Sequence, residues 1–367
     1  MSAALQSDNT LTATQHASQT AVWLFSRNTD LGVFLGSALA SLVALWIGAQ
    51  AGILYDDTPD WAWIPAVLLI DVAHVYSTAF RVYFDKAEWQ RHKLLYLSVP
   101  LIGLAIGMAL YSEGELVFWR TLAYIAVFHF VRQQYGWVML YRAKAGERDR
   151  LGKWIDSTAI YMATLYPLIY WHTNLPRRFW WFMANDFSSL PQLLVKIVAP
   201  VYWLSLAAYA VHSLYRRFGK GEVNPGKDII VITTAICWYV GIVAFNSDYA
   251  FTVTNVIIHG VPYLALIYFY ARARLAQTNA GAFKLFTHGP ALFLFLLWAL
   301  AYVEELVWDR GVWHDRAWFF GENWEISSLK LILVPLLALP QVTHYVLDGF
   351  IWRRKNNPDF NLLAMKN

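Results

Sequence analysis

The stretch AFTVTNVIIHGVPYLALIYFYA, residues 250–271, runs for 22 residues without one aspartate, glutamate, lysine or arginine. At about 1.5 Å per residue such a helix covers the ~30 Å hydrocarbon core of a bilayer. Comparable apolar runs occupy residues 31–53, 62–84, 94–111, 117–141, 154–172, 192–216, 228–245, 288–307 and 328–352. Hydrophobic residues make up 58% of the 367 positions and charged residues only 15%, against roughly 25% charge in a soluble domain. The expected fold class is therefore all-α: a polytopic membrane bundle of about ten transmembrane helices over residues 31–355. A polar tail, residues 1–30, precedes it and a short tail, residues 356–367, follows.

Charge along the connections sets an orientation. The first connection is acidic, with Asp56, Asp57 and Asp60, whereas the second carries Lys86, Arg91 and Lys93. The fourth holds Arg142, Lys144, Arg148, Arg150 and Lys153, the sixth Arg216, Arg217, Lys220 and Lys227, and the eighth Arg272, Arg274 and Lys284. Odd connections contribute only Arg177, Arg178, Arg310 and Arg316, and the chain leaves its last run through Arg353, Arg354 and Lys355. The excess of lysine and arginine on cytoplasmic loops then places both termini in the cytoplasm, in a multi-pass protein of the bacterial inner (cytoplasmic) membrane. The long odd connections, 173–191 and 308–327, are rich in tryptophan, which predicts segments lying at the membrane interface.

The net charge of +4 is small and sits in loops beside apolar runs. It points to anionic lipid headgroups rather than nucleic acid. Cys237 is the only cysteine, so one chain forms neither a disulfide framework nor a thiolate metal site. The polar start, followed by an apolar run longer than a cleavable signal core, reads as an uncleaved first helix.

Ionisable side chains at mid-membrane depth are costly and mark function. Asp71 and His74 stand in the second run, His129, Arg132, Gln133 and Gln134 in the fourth, His259 in the eighth, and His344 and Asp348 in the tenth. All four runs cross in the same direction. Counting from their outer ends puts the histidines at roughly 18, 18, 14 and 24 Å, one slab of the membrane. Asp71 and His74 are three apart and His344 and Asp348 four apart, so each pair shares a helix face. Four imidazoles and two carboxylates resemble the sets that hold a di-iron or di-manganese pair between bundle helices, and they suit iron, manganese or zinc.

The expected ligands are thus His74, His129, His259, His344, Asp71 and Asp348, with iron, single or dinuclear, as the cofactor and manganese or zinc as alternatives. Arg132, Gln133 and Gln134 are the expected catalytic helpers, orienting ligands or a polar substrate head. The function that follows is a membrane-embedded, metal-dependent oxidoreductase acting on a lipidic or apolar substrate. Its partners are membrane lipids and an electron donor docking on the basic cytoplasmic face. The same residues would also serve a proton-coupled transporter, or a haem-binding electron carrier using paired histidines. Several blander pairings compete: Asp71 with Arg132, Arg81 with Asp85, Asp348 facing headgroups, and Glu304 and Glu305 at the outer interface. Pro335 and Pro340 before His344, and Pro262 after His259, predict interrupted helices of the kind that line cavities.

Overall fold

The computed structural model describes residues 21–278 and 288–353. Most of the expected N-terminal tail, Lys284, Arg354, Lys355 and the C-terminal tail lie outside the described residues. Among the described residues every regular element is a helix, with no strand. Eight helices are long and apolar enough to cross a membrane: α1 (Arg27–Gln50), α2 (Asp60–Val82), α3 (Lys86–Glu113), α6 (Gln192–Gly219), α7 (Pro225–Ala244), α8 (Asp248–Gln277), α9 (Pro290–Trp313) and α10 (Lys330–Ile351). That is the build of an integral multi-pass membrane protein. Two further helices, α4 (Glu115–Lys144) and α5 (Arg150–Thr173), are 30 and 24 residues long. They are more polar, and in α4 the polarity is His129, Arg132, Gln133 and Gln134 themselves.

Local chemistry sets the boundaries. The Asp85 carboxylate accepts the backbone N–H groups of Ala87 and Glu88 at 3.1 and 3.2 Å, so α3 starts well before its apolar run. Asp149 caps α5 by accepting from the Gly152 N–H at 2.7 Å, and Asn224 with Pro225 opens α7. Such caps satisfy the otherwise orphaned first N–H groups. Residues Ile64–Val72 of α2, with Pro65 as the second of them, wind as wide π-type turns, an irregularity common at functional sites. α10 breaks at Ala338, between Lys330–Leu337 and Leu339–Ile351, as Pro335 and Pro340 predict.

α8 is the central helix, with 83% of its apolar window buried inside the protein. It packs on α1, α2 and α7. Gly260 lets α8 come close to α2, since a Cβ there would stand 2.5 Å from Ile70 Cγ2 and 3.2 Å from the Ile70 carbonyl oxygen.

The basic end of the bundle is tied by buried ion pairs. Arg81 pairs with Glu88 at 3.2 Å, not with Asp85 as its spacing suggests, because α2 ends at Val82 and Asp85 turns the chain into α3. Asp85 instead receives Arg274 Nε at 2.7 Å, Arg274 Nη2 at 2.9 Å and the Tyr270 hydroxyl at 2.7 Å. Burial alone would raise the Asp85 carboxyl, but Arg274 and Tyr270 hold it below the ordinary carboxylate range. Glu147 is held down in the same way: burial opposes its charge, while Lys227 and Asn224 outweigh it from 2.7 and 2.8 Å.

The aromatic connections at the other end fold inward more than an interfacial position requires. Phe179, Phe187 and Trp308 are buried, whereas Trp180 and Trp318 are exposed. Asp186 ties the first of these connections by accepting the N–H groups of Trp181 and Phe182 at 2.9 and 2.8 Å.

Candidate metal centre

Four helices deliver one imidazole each to a single point: His74 from α2, His129 from α4, His259 from α8 and His344 from α10. One ring nitrogen from each lies within 4.8 Å of the other three, and no ring is more than 3% exposed. The close contacts run between Nε2 atoms, His259 to His74 at 3.1 Å and His344 to His129 at 3.1 Å. Nitrogens bound about 2.0–2.1 Å from a tetrahedral ion stand about 3.3–3.4 Å from one another; the two 3.1 Å contacts are slightly shorter than that, and the remaining pairs lie within 4.8 Å.

Aromatic packing fixes the rings. Phe130 stacks on His259 with centroids 3.5 Å apart and planes at 8°. Tyr345 lies against His129 at 4.9 Å and Tyr263 meets His344 edge-on at 4.9 Å. The close approach at Gly260 brings α8 against α2, which is what lets His259 reach His74.

Three of the four outer nitrogens have a polar neighbour, one of them within hydrogen-bond distance. His74 Nδ1 lies 3.6 Å from Asp71 Oδ1, and His129 Nδ1 lies 3.6 Å from Asp348 Oδ2. His344 Nδ1 meets the Thr78 hydroxyl at 2.7 Å, and that hydroxyl meets Tyr263 at 3.1 Å. The structure therefore brings the four expected histidines together and puts Asp71 and Asp348 behind them, beside outer nitrogens instead of among the converging ones. Asp348 serves His129 across a helix interface, not its own helix neighbour His344. Carboxylates behind imidazoles fix the tautomer and raise the basicity of the inner nitrogen. A neutral imidazole with its proton on Nδ1 presents a lone pair at Nε2. Lone pairs aimed at one dry point repel unless a proton or cation stands between them, and His259 Nδ1 and Asp71 Oδ1, both buried, have no hydrogen-bond partner. The donor set thus fits a metal ion.

The three expected helpers separate. Arg132 donates to the Tyr161 hydroxyl and lies 4.7 Å over the Tyr135 ring, so it does not pair with Asp71. Gln133 is buried with both amide atoms unpartnered, while the Gln134 Oε1 accepts from Thr234 at 3.0 Å. Arg132 and Gln133 line a cavity of about 450 Å³ that also touches His129 and Asp348. Glu304, expected at the interface, is buried and accepts the Trp308 indole N–H at 3.1 Å. The reason is that α9 continues to Trp313 and carries Glu304 well inside its end. His172 is spent elsewhere, with Nδ1 2.6 Å from the Leu168 carbonyl and Nε2 3.1 Å from the Tyr124 hydroxyl.

Thr78 and Phe130 touch the cluster without being among its expected residues. Thr78 carried one signal, its position four residues after His74 on the same helix face. No protein-family model matches this chain, and no curated protein and no solved structure matches it either.

Proposed function

We propose that the chain crosses the membrane ten times with both ends in the cytoplasm, holds one transition-metal ion between His74, His129, His259 and His344, and acts as a metal-dependent oxidoreductase on an apolar, lipid-like substrate. The convergence of four inner nitrogens on one buried point, with carboxylates behind two of the rings, carries this reading. Neutral imidazoles add no charge, so the two carboxylates would balance a divalent ion within a region where net charge is expensive. An all-imidazole set suits iron, copper, nickel and zinc. Iron is the metal proposed, because it supplies electron transfer and oxygen chemistry when bound. One ion fits better than a pair, since no carboxylate stands among the converging nitrogens to bridge two.

This chain's own residues then position and shield. Phe130, Tyr263 and Tyr345 keep the rings in place and exclude water, Asp71 and Asp348 favour a proton on the outer nitrogens of His74 and His129 from 3.6 Å, and the cavity beside His129 admits the substrate. The exposed lysines and arginines of the basic end, Lys86, Lys93 and Arg148 among them, form the docking face proposed for an electron donor. A haem between paired histidines is weighed down by ring centroids only 4.6–5.2 Å apart, which leave no slot for a macrocycle. The transporter reading draws support from the helix break at Ala338.

To test the reaction, purified protein would be incubated with membrane lipid extract, a reductant and oxygen, with oxygen uptake and lipid mass followed together. Oxygen-dependent mass changes that vanish in His129→Ala support the oxidoreductase. Accumulation of a solute in proteoliposomes without chemical change would defeat it in favour of transport.

A further inference from the structure

The cavity beside the cluster has a polarity pattern of its own. It follows α4 from His129 to Ala143, roughly 21 Å of helix, and its volume of about 450 Å³ is that of a small-molecule site. At one end stand His129 and Asp348; at the other, exposed Lys153 and Arg353. Between them the walls are largely apolar, with Phe128, Trp137, Leu140 and Leu266. Gly136 on α4 and Gly349 on α10 both line the space, and a Cβ on either would meet nothing within 4 Å. Two missing side chains therefore help to make the room.

Its cations lack acidic partners. Arg132 donates to Tyr161 and lies over Tyr135, Arg353 lies 5.1 Å over Phe350, and among the described residues no carboxylate pairs with Arg132, Lys153 or Arg353. Arg132 is exposed near the middle of a 30-residue helix, where an uncompensated charge against lipid is costly. An apolar tunnel with three unpaired cations along it is complementary to one kind of ligand.

We propose that this cavity binds an anionic amphiphile, with its acidic head held by Lys153 and Arg353, Arg132 along the wall, and its apolar chain directed toward His129. That the amphiphile is the substrate rests on the proposed function above; that it binds does not. The part of the molecule presented to the metal centre is then the chain remote from the head.

The probe is 16-doxyl stearate, compared with its uncharged methyl ester, in phosphatidylcholine vesicles, with the motionally restricted fraction of the spin-label spectrum as readout and metal content measured on the same samples. Wild type should restrict the acid about two- to fivefold more strongly than the ester, as expected for exposed charge pairs. Lys153→Gln/Arg353→Gln should lose that preference with its metal content unchanged, and Gly136→Leu, which fills the cavity with a better helix former, should weaken both probes. Displacement of the label by oleate, by phosphatidylglycerol or by both supports the site and identifies the head as carboxylate or lipid phosphate. Equal restriction of acid and ester by wild type, a preference that survives Lys153→Gln/Arg353→Gln, or displacement by neither competitor overturns the proposal. A metal-free His344→Ala protein that keeps the acid preference would leave the binding site standing while the metal reading is judged separately.

Discussion

The Nδ1 atom of His129 on α4 sits 3.6 Å from Oδ2 of Asp348 on α10, while Nε2 of the same ring sits 3.1 Å from Nε2 of His344. One imidazole thus faces a carboxylate on one side and a bare nitrogen on the other, which is how a ligand ring is oriented from behind. Asp348→Asn is expected to lower metal affinity about 10–100-fold while leaving the ion bound at saturating metal. Competition with a graded series of chelators measures this. An affinity equal to wild type would make Asp348 a bystander.

Gly260 predicts a packing failure. A Cβ at this position would stand 2.5 Å from Ile70 Cγ2 and 3.2 Å from the Ile70 carbonyl oxygen, so Gly260→Val must push α8 off α2. Overpacking of this kind costs about 1–3 kcal/mol, and it should also separate His259 from His74 and lower metal retention. Gly260→Ala is milder, and Ile70→Ala should partly rescue it. Thermal unfolding of the two single variants and the double variant, read as a cycle, checks the coupling; additive effects would show that the contact is not made.

Acid lability follows from the basic end. The Asp85 and Glu147 carboxyls lie below their ordinary values because Arg274 and Tyr270, and Lys227 and Asn224, outweigh the burial that opposes their charge. A carboxyl depressed in the folded state binds protons more readily when unfolded, so the stability it contributes is complete above the unfolded value, about 4, and is lost as pH falls through the folded value. The melting temperature in detergent should therefore be insensitive to these groups from pH 7 to 5 and fall below about pH 4. Glu147→Gln should melt lower at pH 7 and lose less on acidification. A variant with the same acid slope as wild type would contradict the assignment.

Orientation can be read by labelling, since Cys237 is fully buried and gives little background. In intact cells an impermeant maleimide should modify Asp57→Cys in the connection before α2, and should modify Arg148→Cys between α4 and α5 only after the membrane is opened. The reverse pattern would invert the proposed topology, and labelling of both from one side would break the count of ten crossings.

Much of this arrangement was written in single residues. His74, His129, His259 and His344 stand out because polar groups inside apolar runs are rare and expensive, and similar depth on four helices is enough to suggest that they meet. Spacing within a helix misled in two places. Arg81 and Asp85 are four apart but separated by the end of α2, and Asp348 shares a face with His344 but lies beside His129 on α4. Partner choice across a helix interface depends on crossing geometry that no single run encodes. The cavity was illegible for a similar reason: Gly136 and Gly349 mean empty space only once α4 and α10 are known to flank one opening.

Elemental analysis of detergent-purified protein, prepared without metal-affinity resin, tests the central claim most directly when wild type is run beside His129→Ala and His344→Ala. The account predicts close to one equivalent of a transition metal in wild type and its loss in both variants, each of which remains folded by circular dichroism. A folded wild type that carries no metal and takes none up on titration would contradict it, and would leave the four imidazoles as two hydrogen-bonded pairs that hold the bundle together.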